Sequence, residues 1–288
     1  MIVGLAGALG VTVWQLLVSP NAVQALGSVA GFKLGVANEE TNGAGVNLEA
    51  GSAVLWDINE SRLRFEKNAF ERRSIASLTK IMTAMVAIDN NISWDKEMTI
   101  DRSEYGLGGN LILQPGEFVT MRDLFYASLI GSANNATLAL VRGMDMPEEE
   151  FVIEMNRKAV ALGLEQTTFV DVTGLDPDNI ATAYDVARLA ETAFTQYPAI
   201  VEATSQVEYN FVIGGSGREH IIRNTNKLVS RDKEETTGTK TGYLDEARWC
   251  LVMKGKGELA NRIAVILGHP NEQRYFTEVR KVLELPMP

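Results

Sequence analysis

The chain has 288 residues, enough for one large domain or two closely packed subdomains, and 45% of them are hydrophobic, which allows a sizeable core. A formal net charge of −10 and a pI of about 4.9, with no local basic patch, argue against a phosphate backbone as partner, so no nucleic acid is expected. His220 and His269 lie far apart and make no ligand spacing, which speaks against a metal site. The one cysteine, Cys250, lies in the strand-like run Trp249-Cys250-Leu251-Val252 and reads as a small buried hydrophobe, not a nucleophile.

Before the first charged residue, Lys33, the stretch Ile2 to Val18 is almost unbroken apolar sequence. At ~1.5 Å per helical residue it covers about 25 Å, slightly short of a ~30 Å hydrocarbon core. It reads as a signal-peptide core, with Val23-Gln24-Ala25 as a small-residue cleavage site, or as an N-terminal anchor. The basic residues that usually precede such a segment are missing, and a buried core helix is the plainer alternative. From Asn38 to Asn47 the chain turns polar and glycine-rich, so residues 1–45 are assigned to leader and linker and 46–288 to the folded region.

Gly51 to Trp56 and Arg62 to Phe65 read as a strand pair around Asn59-Glu60-Ser61. Leu78, Ile81, Met82, Met85 and Ile88 make the apolar stripe of a helix from Ser77 to about Asp89. Thr120-x-x-Asp123 and Thr182-x-x-Asp185 are capping boxes that open two further helices, and another runs from Pro147 to near Gly163 with three glutamates in its first turn. After Pro198 the bias becomes β-branched and aromatic: Val207 to Ile213, Arg248 to Met253 and Arg262 to Leu267 read as strands, and a last helix spans Glu272 to Leu283. Strands at both ends around a helical middle predict an α+β fold.

Three short motifs carry chemistry. In Ser77-Leu78-Thr79-Lys80, helical positions i and i+3 share a face, so a neutral lysine can take the serine proton and make a nucleophile. Serine is also simply favoured at a helix N-terminus, and a second copy, Ser230-Arg231-Asp232-Lys233, in polar surroundings reads as chance. Ser132-Ala133-Asn134 lies between two helical runs, where a polar loop is the plain alternative. In Lys240-Thr241-Gly242, lysine and threonine can hold a carboxylate while glycine lets a substrate backbone come close; a solvated turn would have the same composition.

In this order the three motifs resemble those of penicillin-binding proteins and class A β-lactamases. The flanking sequence is similar to the low-molecular-weight D-alanyl-D-alanine carboxypeptidases: Arg72 to Ala84 around the nucleophile, Leu129 to Ala136 around the second motif, Thr173-Gly174-Leu175-Asp176, Ala181 to Ala187, Asn224-Thr225-Asn226-Lys227-Leu228, and Thr239 to Tyr243. The likeness runs from about Gly51 to Leu283. Two positions depart from the family pattern: Asn135 stands for the usual aspartate, and Arg248 for a small residue, which is expected to alter the substrate groove. No counterpart of the β-rich domain and C-terminal anchor of many relatives is seen, so membrane attachment is expected through the N-terminal segment.

The resemblance implies an antiparallel sheet flanked by helices with an adjoining helical subdomain, and a D-alanyl-D-alanine carboxypeptidase catalytic domain over 46–288. It implies Ser77 as nucleophile, Lys80 as general base with its pKa lowered by burial and by Lys240, and Ser132 as proton relay. Asn134 would bind the peptide backbone, Lys240 and Thr241 with Arg274 the terminal carboxylate, and the amides of Ser77 and Tyr243, beside Gly242, the oxyanion. The partners implied are peptidoglycan stem peptides ending in D-Ala-D-Ala and β-lactam antibiotics, outside the cytoplasm, with no cofactor. A DD-endopeptidase, a serine β-lactamase and an idle wall-peptide-binding protein remain as alternatives. Against the β-lactamase, residues 168–181 hold Asp171, Asp176 and Asp178 but no glutamate.

Overall fold

The computed structural model of the chain describes residues 46–106, 108–231 and 236–285. The leader and linker assigned to 1–45 and Lys233 of the second Ser-x-x-Lys copy lie outside them.

Among the described residues, the first elements are the expected hairpin of β1 (Ser52–Asp57) and β2 (Arg62–Lys67), with Ser61 in the turn at a left-handed φ of 48°. Next comes α1 (Thr79–Asp89), buried from Thr79 to Ala87. A helix buried all round its circumference is a central one, and α1 packs against five other helices. The first of these, α2 (Met121–Ile130), starts at the predicted capping box: Asp123 N donates to Thr120 Oγ1 at 3.2 Å, and Thr120 N to Asp123 Oδ2 at 2.8 Å. Then follow α3 (Asn134–Arg142), α4 (Glu148–Ala161) capped by Pro147, and α5 (Ala183–Gln196). At α5 the box is only half used. Asp185 N donates to Thr182 Oγ1, but its carboxylate accepts from Gln166 N and Thr167 Oγ1 instead.

The helix α6 (Pro198–Ser205) falls where the sequence reads as turning to strands; Pro198 stands in its first turn, where a missing N–H costs nothing. Next, β3 (Glu208–Val212) pairs with β4 (Glu219–Arg223), a strand whose own alternation is too weak to read. Then α7 (Lys227–Arg231) leads to β5 (Thr236–Leu244), β6 (Arg248–Gly255), β7 (Arg262–His269) and α8 (Tyr275–Leu283).

Five strands form one antiparallel sheet in the order β2-β1-β7-β6-β5. Successive side chains point to opposite faces, and the sequence uses both. Ala53, Leu55, Leu251, Met253, Ala264 and Ile266 turn to one face and pack on Phe276, Val279, Val282 and Leu283 of α8. Val54, Trp56, Cys250, Val252, Ile263, Val265 and Leu267 turn to the other, against the helical layer around α1 and α5. The sheet is thus joined from both ends of the chain, with the helical subdomain inserted, as expected. One edge strand of the sheet, β5, carries the third motif.

Candidate active site

Ser77 sits in a 3-10 turn, Ala76–Leu78, that leads directly into α1. Ala76 holds a left-handed φ of 47°, uncommon for a residue with a Cβ. Two glycines make room for this turn. At Gly174, φ 82°, a Cβ would lie 1.9 Å from the Ala76 carbonyl oxygen; at Gly242 it would lie 3.0 Å from Ile75 O and 3.1 Å from Ser77 N. Gly242 is therefore needed for the approach of β5 to the nucleophile turn, a nearer reason than the substrate backbone that the sequence suggests.

Lys80 is fully buried in the first turn of α1. Its Nζ donates to Ser77 Oγ at 2.9 Å, to Asn134 Oδ1 at 2.7 Å and to the Thr173 carbonyl at 2.5 Å. Burial pulls its pKa down to about 7, against the opposing field of the Asp171 carboxylate. Asp171 also shapes the loop that presents Thr173: it accepts from Thr173 N, Gly174 N, Asp176 N and Thr173 Oγ1.

Ser132 occupies the tight turn between α2 and α3, with φ 55°. Its hydroxyl accepts from Lys240 Nζ at 2.8 Å. Lys240, almost wholly buried in the middle of β5, is held well below the usual lysine range, first by burial and then by the charge of Lys80. The resemblance implies that burial and Lys240 both depress Lys80; burial does so, while the repulsion between the two amines falls on Lys240. Asn134 bridges Lys80 to a glycine-rich loop, its Nδ2 donating to Gly108 O at 2.8 Å. Asn135 turns away from the site. Its amide accepts from Leu111 N and donates to Leu111 O, at 2.9 and 2.8 Å, clamping the same loop. An ionised aspartate could accept there but not donate, which gives the departure at this position a physical sense.

Thr241 Oγ1 lies 2.6 Å from Thr225 Oγ1, a partner that sequence reasoning does not single out. Thr225 stands between two anchored asparagines: Asn224 donates to Thr204 O and Gln206 O, and Asn226 to Thr239 Oγ1. A cavity of about 360 Å³ opens over Ser77, Ser132, Thr225, Thr241 and Gly242, walled by Tyr243 and Trp249, and runs on to Lys227 and Glu272. The Tyr243 ring leans against Trp249 at a tilt of 35° with centroids 4.3 Å apart, and its hydroxyl donates to Asp245. Arg248 closes the β5–β6 hairpin at φ 57° and is not among the residues lining the cavity. Arg274 also stands apart from the cavity. At the start of α8 its guanidinium pairs with Glu49 and borders a different depression, with Asn47 and Lys281. The structure brings together Ser77, Lys80, Ser132, Asn134, Lys240, Thr241, Gly242 and Tyr243, but not Arg274.

A family model described as D-alanyl-D-alanine carboxypeptidase matches residues 37–271. The chain belongs to this family. It is 32% identical over 242 residues to the D-alanyl-D-alanine carboxypeptidase DacF of Bacillus subtilis, covering 82% of this chain and 61% of that protein, so it spans about three-fifths of that relative's length. It is 34% identical to a D-alanyl-D-alanine endopeptidase of Pseudomonas aeruginosa, over 72% of this chain and 67% of that one. A mutant Streptomyces DD-transpeptidase has the same fold, with a TM-score of 0.75 at 25% identity, over 83% of this chain and 97% of the other. A penicillin-binding protein of Listeria monocytogenes in its cefotaxime-bound form matches with a TM-score of 0.71 at 29% identity and the same coverage.

Proposed function

We propose that this protein is a serine-type D-alanyl-D-alanine carboxypeptidase that trims peptidoglycan stem peptides through an acyl-enzyme on Ser77, with residues 46–288 as its catalytic domain. The observation that carries this reading is the setting of the Lys80 amine. An ammonium has three donors, and here all three positions have partners. When the amine is neutral, Asn134 Oδ1 and the Thr173 carbonyl can only accept, so they take its two N–H groups. The lone pair is then left facing the Ser77 hydroxyl, and with a pKa of about 7 a large share of the amine is neutral at neutral pH.

Lys80 takes the Ser77 proton as Oγ attacks the carbonyl between the two D-alanines. The oxyanion lies against the backbone amides of Ser77 and Tyr243. The terminal carboxylate lies along the Thr225 and Thr241 hydroxyls, and its charge raises Lys240 back toward the ammonium. Ser132, held by Lys240, relays the proton taken up by Lys80 to the departing D-alanine nitrogen as the C–N bond breaks, which returns Lys80 to the neutral amine, and Asn134 holds the peptide backbone of the donor. Water then hydrolyses the ester, with Lys80 as base.

The strained amide and carboxylate of a β-lactam fit the same groups, so β-lactams should acylate Ser77 too. The substrate lies outside the cytoplasm, and we place the enzyme there, exported or tethered by its N-terminal apolar segment. Among the described residues no helix is long and apolar enough to cross a membrane. Mass spectrometry of a pentapeptide digest tests the reading: one D-alanine should be released, and a labelled penicillin should map to the tryptic peptide holding Ser77. A Ser77→Ala protein that still labels covalently would overturn it.

A further inference from the structure

The proposed mechanism gives a donor peptide a direction. With its terminal carboxylate at Thr241 and its scissile carbonyl at the Tyr243 amide, the peptide runs antiparallel to β5. Its earlier residues therefore continue toward Leu244 and the tip that joins β5 to β6. At ~3.3 Å per extended residue, the third residue of the stem, just before the two D-alanines, comes level with Leu244. The register partner of Leu244 is Arg248.

Folding alone gives no reason for an arginine at this position. Its φ of 57° is left-handed, a conformation in which glycine is most at home. The side chains of Arg248 and Glu246 are both exposed, and among the described residues neither has an ion-pair or hydrogen-bond partner. Asp245, by contrast, is engaged by the Tyr243 hydroxyl at 2.7 Å. That hydroxyl is held above the usual tyrosine range first by its bond to Asp245, and it also feels the charges of Arg248 and Glu246. Both charges thus stand near the rim of the cavity that Tyr243 walls.

We infer that Arg248 determines specificity for the third stem residue by receiving a carboxylate at the end of its side chain, so that the substrates are stem peptides with a diamino diacid there. A peptide laid along β5 lies two strand spacings, about 9.6 Å, from the Arg248 backbone, and the two long side chains cover this distance from either side. Glu246 meets the amine beside that carboxylate. The contact is made outside the cavity and alters no step at Ser77. The inference rests on the acyl-enzyme reading above.

The test measures kcat and KM on three pentapeptides that differ only at the third residue: a diamino diacid, the same residue with its side-chain carboxylate amidated, and lysine. The unsubstituted protein should favour the first over the other two by at least about threefold in kcat/KM, the scale of one exposed ion pair, and the difference should lie in KM. Arg248→Gly should bring the first peptide down to the level of the others, and Arg248→Lys should keep part of the preference. Because glycine suits the turn, Arg248→Gly should unfold at about the same urea concentration as the unsubstituted protein, and labelling of Ser77 by a penicillin, which has no third residue, reports an intact site. Equal kcat/KM on the free and amidated diacid peptides, a preference that survives Arg248→Gly, or equal losses on all three would overturn the inference. Failure of the unsubstituted protein on every pentapeptide would bring down the peptidase reading itself.

Discussion

Lys80 and Lys240 are two buried amines with different proposed tasks, and pH separates them. With neutral Lys80 as the proposed base, its pKa pulled by burial to about 7, protonation below that pH removes the lone pair. Acylation by a fluorescent penicillin, followed by stopped flow, should therefore rise with pH through about 7 and level off above it. Asp171 holds the amine up, so Asp171→Asn should move this acid limb to lower pH; a limb that stays in place would show that the carboxylate matters only to the loop. In the proposed mechanism Lys240 acts mainly through the substrate's carboxylate, besides holding Ser132. A charge-assisted hydrogen bond to such a group contributes ~1.5–3 kcal/mol, so Lys240→Ala should slow a free-acid peptide about tenfold or more. An amidated peptide should lose much less. Equal losses on the two would assign the amine another role.

At the scale of elements, the nucleophile turn is held by loops and strands that touch it, more than by its own helix. Gly174 presses its loop against Ala76 with no space for a Cβ. Gly174→Ala must push that turn aside. Since a displacement of ~1 Å at a reacting atom can cost on the order of a hundredfold, penicillin acylation should fall by about that factor while circular dichroism still shows a folded protein. Unchanged acylation would mean that the contact does not position Ser77. The loop over the other side of the site hangs on Asn135. Asn135→Ala leaves the Leu111 N–H and carbonyl without these partners, and urea unfolding should record a loss of about 1–3 kcal/mol.

For the whole molecule, the question after acylation is what activates water. A class A β-lactamase uses an added glutamate for this. Here Asp171, whose field reaches Lys80, is spent on three backbone amides and the Thr173 hydroxyl. Glu154 lies in α4 and pairs with the exposed Arg157. The penicilloyl-enzyme should therefore persist for minutes or longer while a pentapeptide is turned over repeatedly. Intact-protein mass spectrometry after a penicillin pulse, beside an assay for free D-alanine, checks this. Rapid consumption of penicillin without D-alanine release would make the protein a β-lactamase.

The sequence by itself made the pairing of Ser77 with Lys80 legible, because a spacing of three residues across a helix start brings the two side chains together wherever that helix lies. It determined most of the sheet as well, since β1, β6 and β7 are short continuous apolar runs, as strands buried on both faces must be. It could not announce β5: Thr236–Leu244 lacks an apolar alternation because its inward residues serve the site, Lys240 reaching Ser132 and Gly242 lying on the nucleophile turn. That segment is a strand because β6 pairs with it. Only the tertiary structure placed Asn134, Thr173 and Ser132 beside the lysines, across 54, 93 and 108 residues of chain. The Thr173 contact is a backbone carbonyl, which leaves no mark on residue identity. The structure likewise paired Thr225 with Thr241 and turned Arg274 to Glu49. Neighbours on one helix follow from local geometry, whereas partners this distant are set by how the packed layers meet.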